Sequence, residues 1–206
     1  AYEVLATKWI SFDDVLNIRL VEEMLELHYN SGQFVQSLRV LEQAFDSAFA
    51  MYWEMGLYYL HHALRGQNFS RMKRCEIFLD FAMEKDPAHK AWYEQALTFD
   101  LYARENVKKE PDFLENRMLT EEKKEKIRAF YQSEAQREKY LPDYPDYNWK
   151  QVMRMTHMEW FSYDIVQYLQ DGILHEKKTL VLFDYQKRNP LSYQAKVQIV
   201  REQVTE

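Results

Sequence analysis

The segment from Ser11 to Gly32 constrains the fold more than any other stretch of this chain. Ser11 stands at an N-cap position with Asp14 three residues on, the Ser-x-x-Asp form of a capping box. Asp13 and Asp14 add negative charge at the positive end of the helix dipole. Leu16, Leu20, Met24 and Leu27 follow at spacings of four, four and three, and Val21, Leu25 and His28 widen the stripe. Asn30, Ser31 and Gly32 stop it, glycine being suited to the left-handed position just past a helix end. Such a helix of about 19 residues is about 28 Å long. A stripe of that length asks for burial, so the rest of the chain is expected to pack along it.

More helices follow. Phe34, Leu38, Leu41 and Phe45 space a second helix to about Ala44, and Ser47 and Ser70 stand as caps for a third and a fourth. Gly56 in the third helix allows a close helix crossing or a bend. Asp86-Pro87 opens a fifth that ends near Lys108. The pair from Ser70 to Lys108 resembles a tetratricopeptide-type hairpin, without a second copy at a fixed period. Thr120 opens a charged helix through Tyr140, anchored by Ile127, Phe130 and Tyr131. The loop LPDYPDYNW breaks the pattern with Pro142 and Pro145. Beyond it, Val152 to Phe161, Thr179 to Phe183 and Ala195 to Val200 read as strands, with a short helix from Tyr163 to Leu169 closed by Gly172. Asn189-Pro190 marks a turn between the last two strands. The fold class is mainly α (α+β): an irregular helical bundle with a C-terminal antiparallel sheet of about three strands. The division is a helical body over 1–141 and an aromatic, Pro-containing loop with a β subdomain over 142–206, packed as one unit with the helices.

Composition narrows the function. Cys75 is the one cysteine, which excludes an internal disulfide and a cysteine-ligated iron–sulfur cluster. A net charge of −6 without a basic block argues against nucleic acid and against an anionic membrane surface. No apolar run approaches the ~20 residues of a membrane span. With no charged-then-apolar leader, the chain is expected to be cytoplasmic.

His157 and Glu159 form a His-x-Glu pair on one strand face, the half-site of a zinc deaminase. The Pro-Cys-x-x-Cys that would complete it is missing, so a polar cross-strand face is the plainer reading. Cys75 shares a face with Phe78, Leu79 and Ala82, as a buried, inert thiol would. His28, Tyr29 and Asn30, with Gln33 nearby, gather polar groups where the first helix turns. They read either as a helix end or as the lining of a cavity. Tyr144, Tyr147 and Trp149 punctuate the Pro-containing loop, and Asp184, Tyr185 and Arg188 cluster with Asn189 at a strand end. These ten residues, His28, Tyr29, Asn30, Gln33, Tyr144, Tyr147, Trp149, Asp184, Tyr185 and Arg188, are the candidate pocket lining; none is expected to be catalytic or to bind metal.

YEVLATKWISFDDVLNIRLVEEMLELHYNSGQF resembles the opening of a C-terminal domain found in cobalamin-binding radical S-adenosylmethionine proteins. TLVLFDYQKRNPLSYQAKVQIV is similar to that domain's end. The resemblance implies a parent polypeptide in which a cobalamin-binding domain and a radical barrel precede this one. That parent carries a 4Fe-4S cluster, S-adenosylmethionine and cobalamin, and is a radical enzyme, such as a methyltransferase, acting on an unknown substrate. It implies no cofactor in this chain and no catalytic residue here. The expected role is a non-catalytic domain that caps the barrel and shapes its substrate pocket, with the upstream domains as partners. A helical protein-interaction module is the alternative, and a small metal-dependent enzyme built on His157 and Glu159 the third reading.

Overall fold

The computed structural model describes residues 6–107, 111, 113 and 121–201. Helix α1, Phe12–Met24, begins at the capping box. Ser11 Oγ accepts from the Asp14 amide at 3.1 Å, and Asp14 Oδ2 accepts from the Ser11 amide at 2.9 Å. The helix then widens into a π-helix, Leu25–Asn30, before Ser31 and the left-handed Gly32 end it. α2 is Val35–Glu42, α3 is Ala48–His61 and α4 is Arg71–Lys85. The Ser47 and Ser70 hydroxyls accept from the Ala50 and Lys73 amides, the caps expected at both positions. Pro87–His89 forms a 3-10 turn leading into α5, Lys90–Arg104.

The chain divides into two compact units, Ala1–Tyr93 and Glu94–Glu206. In the first, α1 lies on α3, and Gly56 is what lets them approach. A Cβ at Gly56 would stand 2.5 Å from Leu20 Cγ, well inside contact distance. Leu20, Val21 and Met24 of α1 are buried with Met51 and Met55 of α3, Leu38 and Leu41 of α2, and Cys75 and Phe78 of α4. The apolar stripe is covered from Leu20 onward, while the start of α1 stays exposed. Phe12 is 51% exposed and Leu16 47%, and Trp9 just before the helix is 83% exposed. Of the stripe read from the sequence, Leu20, Val21, Met24 and His28 are buried and Leu25 and Leu27 half-buried, so the expected packing holds everywhere but at Leu16. Periodicity shows that a face is apolar, but not which body covers it.

In the second unit, α6 (Glu121–Gln132), α7 (Glu134–Tyr140) and α8 (Trp149–Met155) precede β1, Thr156–Phe161. α9 (Ile165–Asp171) then leads to β2 (Thr179–Asp184) and β3 (Lys196–Val200). The strands form an antiparallel meander in the order β1-β2-β3. All of β2 is buried, because both faces of this central strand are covered. Leu180 and Leu182 join Phe130, Tyr131, Tyr140 and Val152 on one side; Val181 and Phe183 join Phe99, Tyr102 and Ile165 on the other. The helices of 121–140 thus pack on the sheet.

Two local expectations are corrected. Val152 to Met155 is helical, since Asn148 and Gln151 build a reciprocal capping box that starts α8 and delays the strand to Thr156. The charged helix is two helices: Ser133 caps α7 and splits it from α6. Lys108 and Thr120, expected to end one helix and open another, lie outside the described residues. Among the described residues nine α-helices and one small open sheet make the fold mainly helical, as expected. No helix among them is long and apolar enough to cross a membrane.

Candidate functional site

The π-helical turn swings the His28 ring into the core of the first unit. Such turns are rare and recur at functional sites. His28 is 1% exposed. Its Nε2 lies 3.0 Å from the Tyr59 hydroxyl of α3, and its ring packs against Phe34 and Phe78 at centroid distances of 5.1 and 6.0 Å. Its Nδ1 is buried and has no hydrogen-bond partner. Burial, and next the Arg74 guanidinium, hold the imidazole down at about 3. Burial likewise pushes the Tyr59 phenol up to about 12.

His28 and Tyr59 line a cavity of about 210 Å³, together with Glu23, Asn68 and Arg74. That volume holds several waters or one small polar group. Burial thus favours the uncharged form of both His28 and Tyr59. The recess offers a neutral ring nitrogen, donor or acceptor by tautomer, between an acid and a guanidinium.

The rest of the first-unit cluster faces elsewhere. Tyr29 is exposed, and Asn30 donates to Glu26 Oε1 at 2.6 Å as a helix-end contact. Gln33 is half-buried, its Oε1 without a hydrogen-bond partner. Tyr59 and Arg74, which complete the His28 recess, were not tied to His28 in the sequence. They come from α3 and α4, and no local spacing ties them to His28.

In the second unit the candidates do assemble, chiefly as ties. The Tyr144 hydroxyl donates to Asp184 Oδ1 at 2.6 Å, and the Asp184 side chain also accepts from the Gln186 amide. Burial first, then that bond to Asp184, raises the Tyr144 phenol far above its usual range. Tyr147 stacks edge-on to Tyr144 at 6.0 Å, and the two help line a shallow pocket of about 200 Å³. Trp149 packs on the sheet core as the first residue of α8. The Tyr185 hydroxyl donates to the Tyr102 and Glu105 carbonyls, while Arg188 donates to the Arg104 and Tyr193 carbonyls and lies over the Tyr185 ring. Together they hold the C-terminal end of α5, satisfying carbonyls that a helix end leaves open.

A family model described as Protein of unknown function (DUF4080) matches residues 1–183. The chain belongs to this family. Comparison with curated proteins and with solved structures returned no match.

In this DUF4080 domain the metal readings meet the geometry directly. His157 lies 3.4 Å from Glu159 and stacks on Tyr102 at 3.9 Å, so ring packing accounts for its position. Among the described residues no three His, Cys, Asp or Glu side chains converge as a metal site. A cysteine-ligated four-iron cluster with one open iron needs three thiolates. With Cys75 alone, and buried, this chain's residues do not fit that group.

Replacing Tyr144 with phenylalanine should leave the buried Asp184 with one partner fewer. The expected loss is about 1–3 kcal/mol of stability, read by urea denaturation. A variant within about 0.5 kcal/mol of the parent would show that the tie is not stabilising.

Proposed function

We propose that this DUF4080 domain is a non-catalytic accessory domain of a cobalamin-binding radical S-adenosylmethionine enzyme, docked on the barrel and shaping its substrate pocket. The observation that carries the reading is the exposed apolar surface at the start of α1. Trp9, Phe12 and Leu16 are large apolar side chains left in water, within the very segment that carries the resemblance. Contiguous exposed apolar surface of this kind marks a contact with another body. The barrel and cobalamin-binding domains of the same polypeptide are the partners that the resemblance supplies. The His28 recess, a neutral polar cavity, is the feature best suited to line a substrate pocket, and water exclusion is the service such a cap renders to radical chemistry.

The test begins with the in-frame coding DNA upstream of residue 1. A Cys-x-x-x-Cys-x-x-Cys motif there supports the reading; its absence from the whole polypeptide overturns it. In the full-length enzyme, Phe12→Ser with Leu16→Ser should lower turnover at least about tenfold, removing roughly 1.5–3 kcal/mol of burial per side chain at the docking face. The isolated domain should keep its thermal stability, since both side chains are half exposed in it. Unchanged turnover would instead point to docking of a separate protein on this face, the interaction-module reading that the same stripe allows.

A further inference from the structure

Trp160 of β1, Leu180 of β2 and Val200 of β3 stand in one cross-strand row of the second unit. A recess of about 840 Å³ opens over this end of the sheet. That size is within the ~300–1,000 Å³ typical of small-molecule sites. Its walls are basic: α6 gives Lys123 and Lys126, the segment entering β2 gives Lys177 and Lys178, and Arg201 follows β3.

Two carboxylates also line it. Glu122 pairs with Lys126 at 3.4 Å and Asp164 with Lys177 at 3.7 Å. Five cations line the recess beside these two carboxylates, in a chain whose net charge is −6. Burial, and next the nearby Lys178, hold the Lys123 ammonium below the usual lysine range. Crowded like charges of this kind are relieved by an anion, which also gains charge-assisted hydrogen bonds.

The recess has an apolar side as well. The Lys123 and Lys126 ammoniums lie 5.8 and 5.9 Å from the centre of the Trp160 ring. The Trp160 indole Nε1 is buried and has no hydrogen-bond partner, so a donor stands ready beside the cations. We propose that this recess binds a small organic anion of the nucleoside-diphosphate class, its charges on the lysine and arginine wall and its ring against Trp160. Neither carboxylate pair bars such a ligand, since each takes up one lysine and the wall also carries Lys178 and Arg201.

Isothermal titration calorimetry of the chain with ADP, pyrophosphate and adenosine tests this. ADP is expected to bind saturably at or below about 1 mM. Pyrophosphate should bind more weakly, and adenosine should not saturate. Lys123→Gln with Lys178→Gln should weaken ADP at least about tenfold, each lost charge-assisted contact being worth roughly 1.5–3 kcal/mol. Trp160→Leu should bring ADP down to the level of pyrophosphate and leave pyrophosphate itself unchanged. Absence of saturable binding by both ADP and pyrophosphate up to about 5 mM overturns the proposal. So does ADP binding that the lysine variant, folded by circular dichroism, leaves unaltered. Should the double variant not fold, Lys178→Gln alone, at an exposed position, carries the same comparison. Pyrophosphate binding as tightly as ADP overturns the assignment of a ring to the Trp160 side.

Discussion

Alanine at Gly56 is expected to lower the stability of the first unit, although helix propensity alone favours it by about 1 kcal/mol. The added Cβ would stand 2.5 Å from Leu20 Cγ and 3.0 and 3.1 Å from the two methyl carbons. The nearest atom is the branch carbon, so no rotation of a chain end clears it. Either Leu20 leaves its place, or α1 moves off α3. Overpacking of this kind destabilises by about 1–3 kcal/mol, and valine, larger and β-branched, should reach the upper end or beyond. In a chain of this size each kcal/mol lowers the melting temperature by about 2–4 °C. The cause is separable from a general loss of packing. Leu20→Ala alone should cost about 2–5 kcal/mol. Joined to Gly56→Ala it should cost less than the sum, by about 0.5–3 kcal/mol, because the smaller side chain leaves room for the new methyl group. A Gly56→Ala protein that melts above the parent would show that the helices separate freely and that the contact constrains nothing.

The same crossing shows how far the sequence can be read. The capping serines are local devices, and Ser11, Ser47 and Ser70 all accept the backbone amides expected of them. Glycine inside an otherwise apolar helix left a close crossing and a bend both open, and Gly56 stands at a close crossing. The strand Thr179–Asp184 was legible as a short β-branched and apolar run, although its burial on both faces was not. Where periods compete, reading fails. Val152 to Met155 is too short for periodicity to tell strand from helix. The deciding signal was the Asn148-x-x-Gln151 box just upstream, which was passed over. The candidate site was less legible still. Asp184 and Tyr144 were both noticed, but nothing in a sequence places two residues 40 apart within 2.6 Å. The α1 stripe was legible from Leu20 to His28, where it is covered, while the exposed apolar residues at its start, Phe12 and Leu16, show that amphipathy does not say which body covers a face.

The His28 recess makes a prediction whose sign follows from its burial. The folded chain holds the imidazole down at about 3, whereas an unfolded histidine takes up its proton near 6.5. Between those values the unfolded chain binds a proton that the folded chain refuses, so stability is full above pH 6.5 and falls as the solution is acidified. The slope approaches about 1.4 kcal/mol per pH unit, which is roughly 2 kcal/mol lost by pH 5 and levels off only near pH 3. His28→Phe should remove this slope and nothing else of the pH profile, since the other groups titrate in both proteins. At pH 7 the variant leaves the buried Tyr59 hydroxyl without its imidazole partner, at a cost of about 1–3 kcal/mol. The two stability curves should therefore converge on acidification and meet or cross near pH 5. Urea denaturation at half-unit steps from pH 7.5 to 4.5 gives the difference directly. Parallel curves would mean that the ring is protonated as readily in the fold as out of it, and that the recess admits enough water or negative charge to hold an imidazolium. In that case His28 becomes a proton carrier within reach of neutral pH, and the cavity a site for chemistry rather than for recognition.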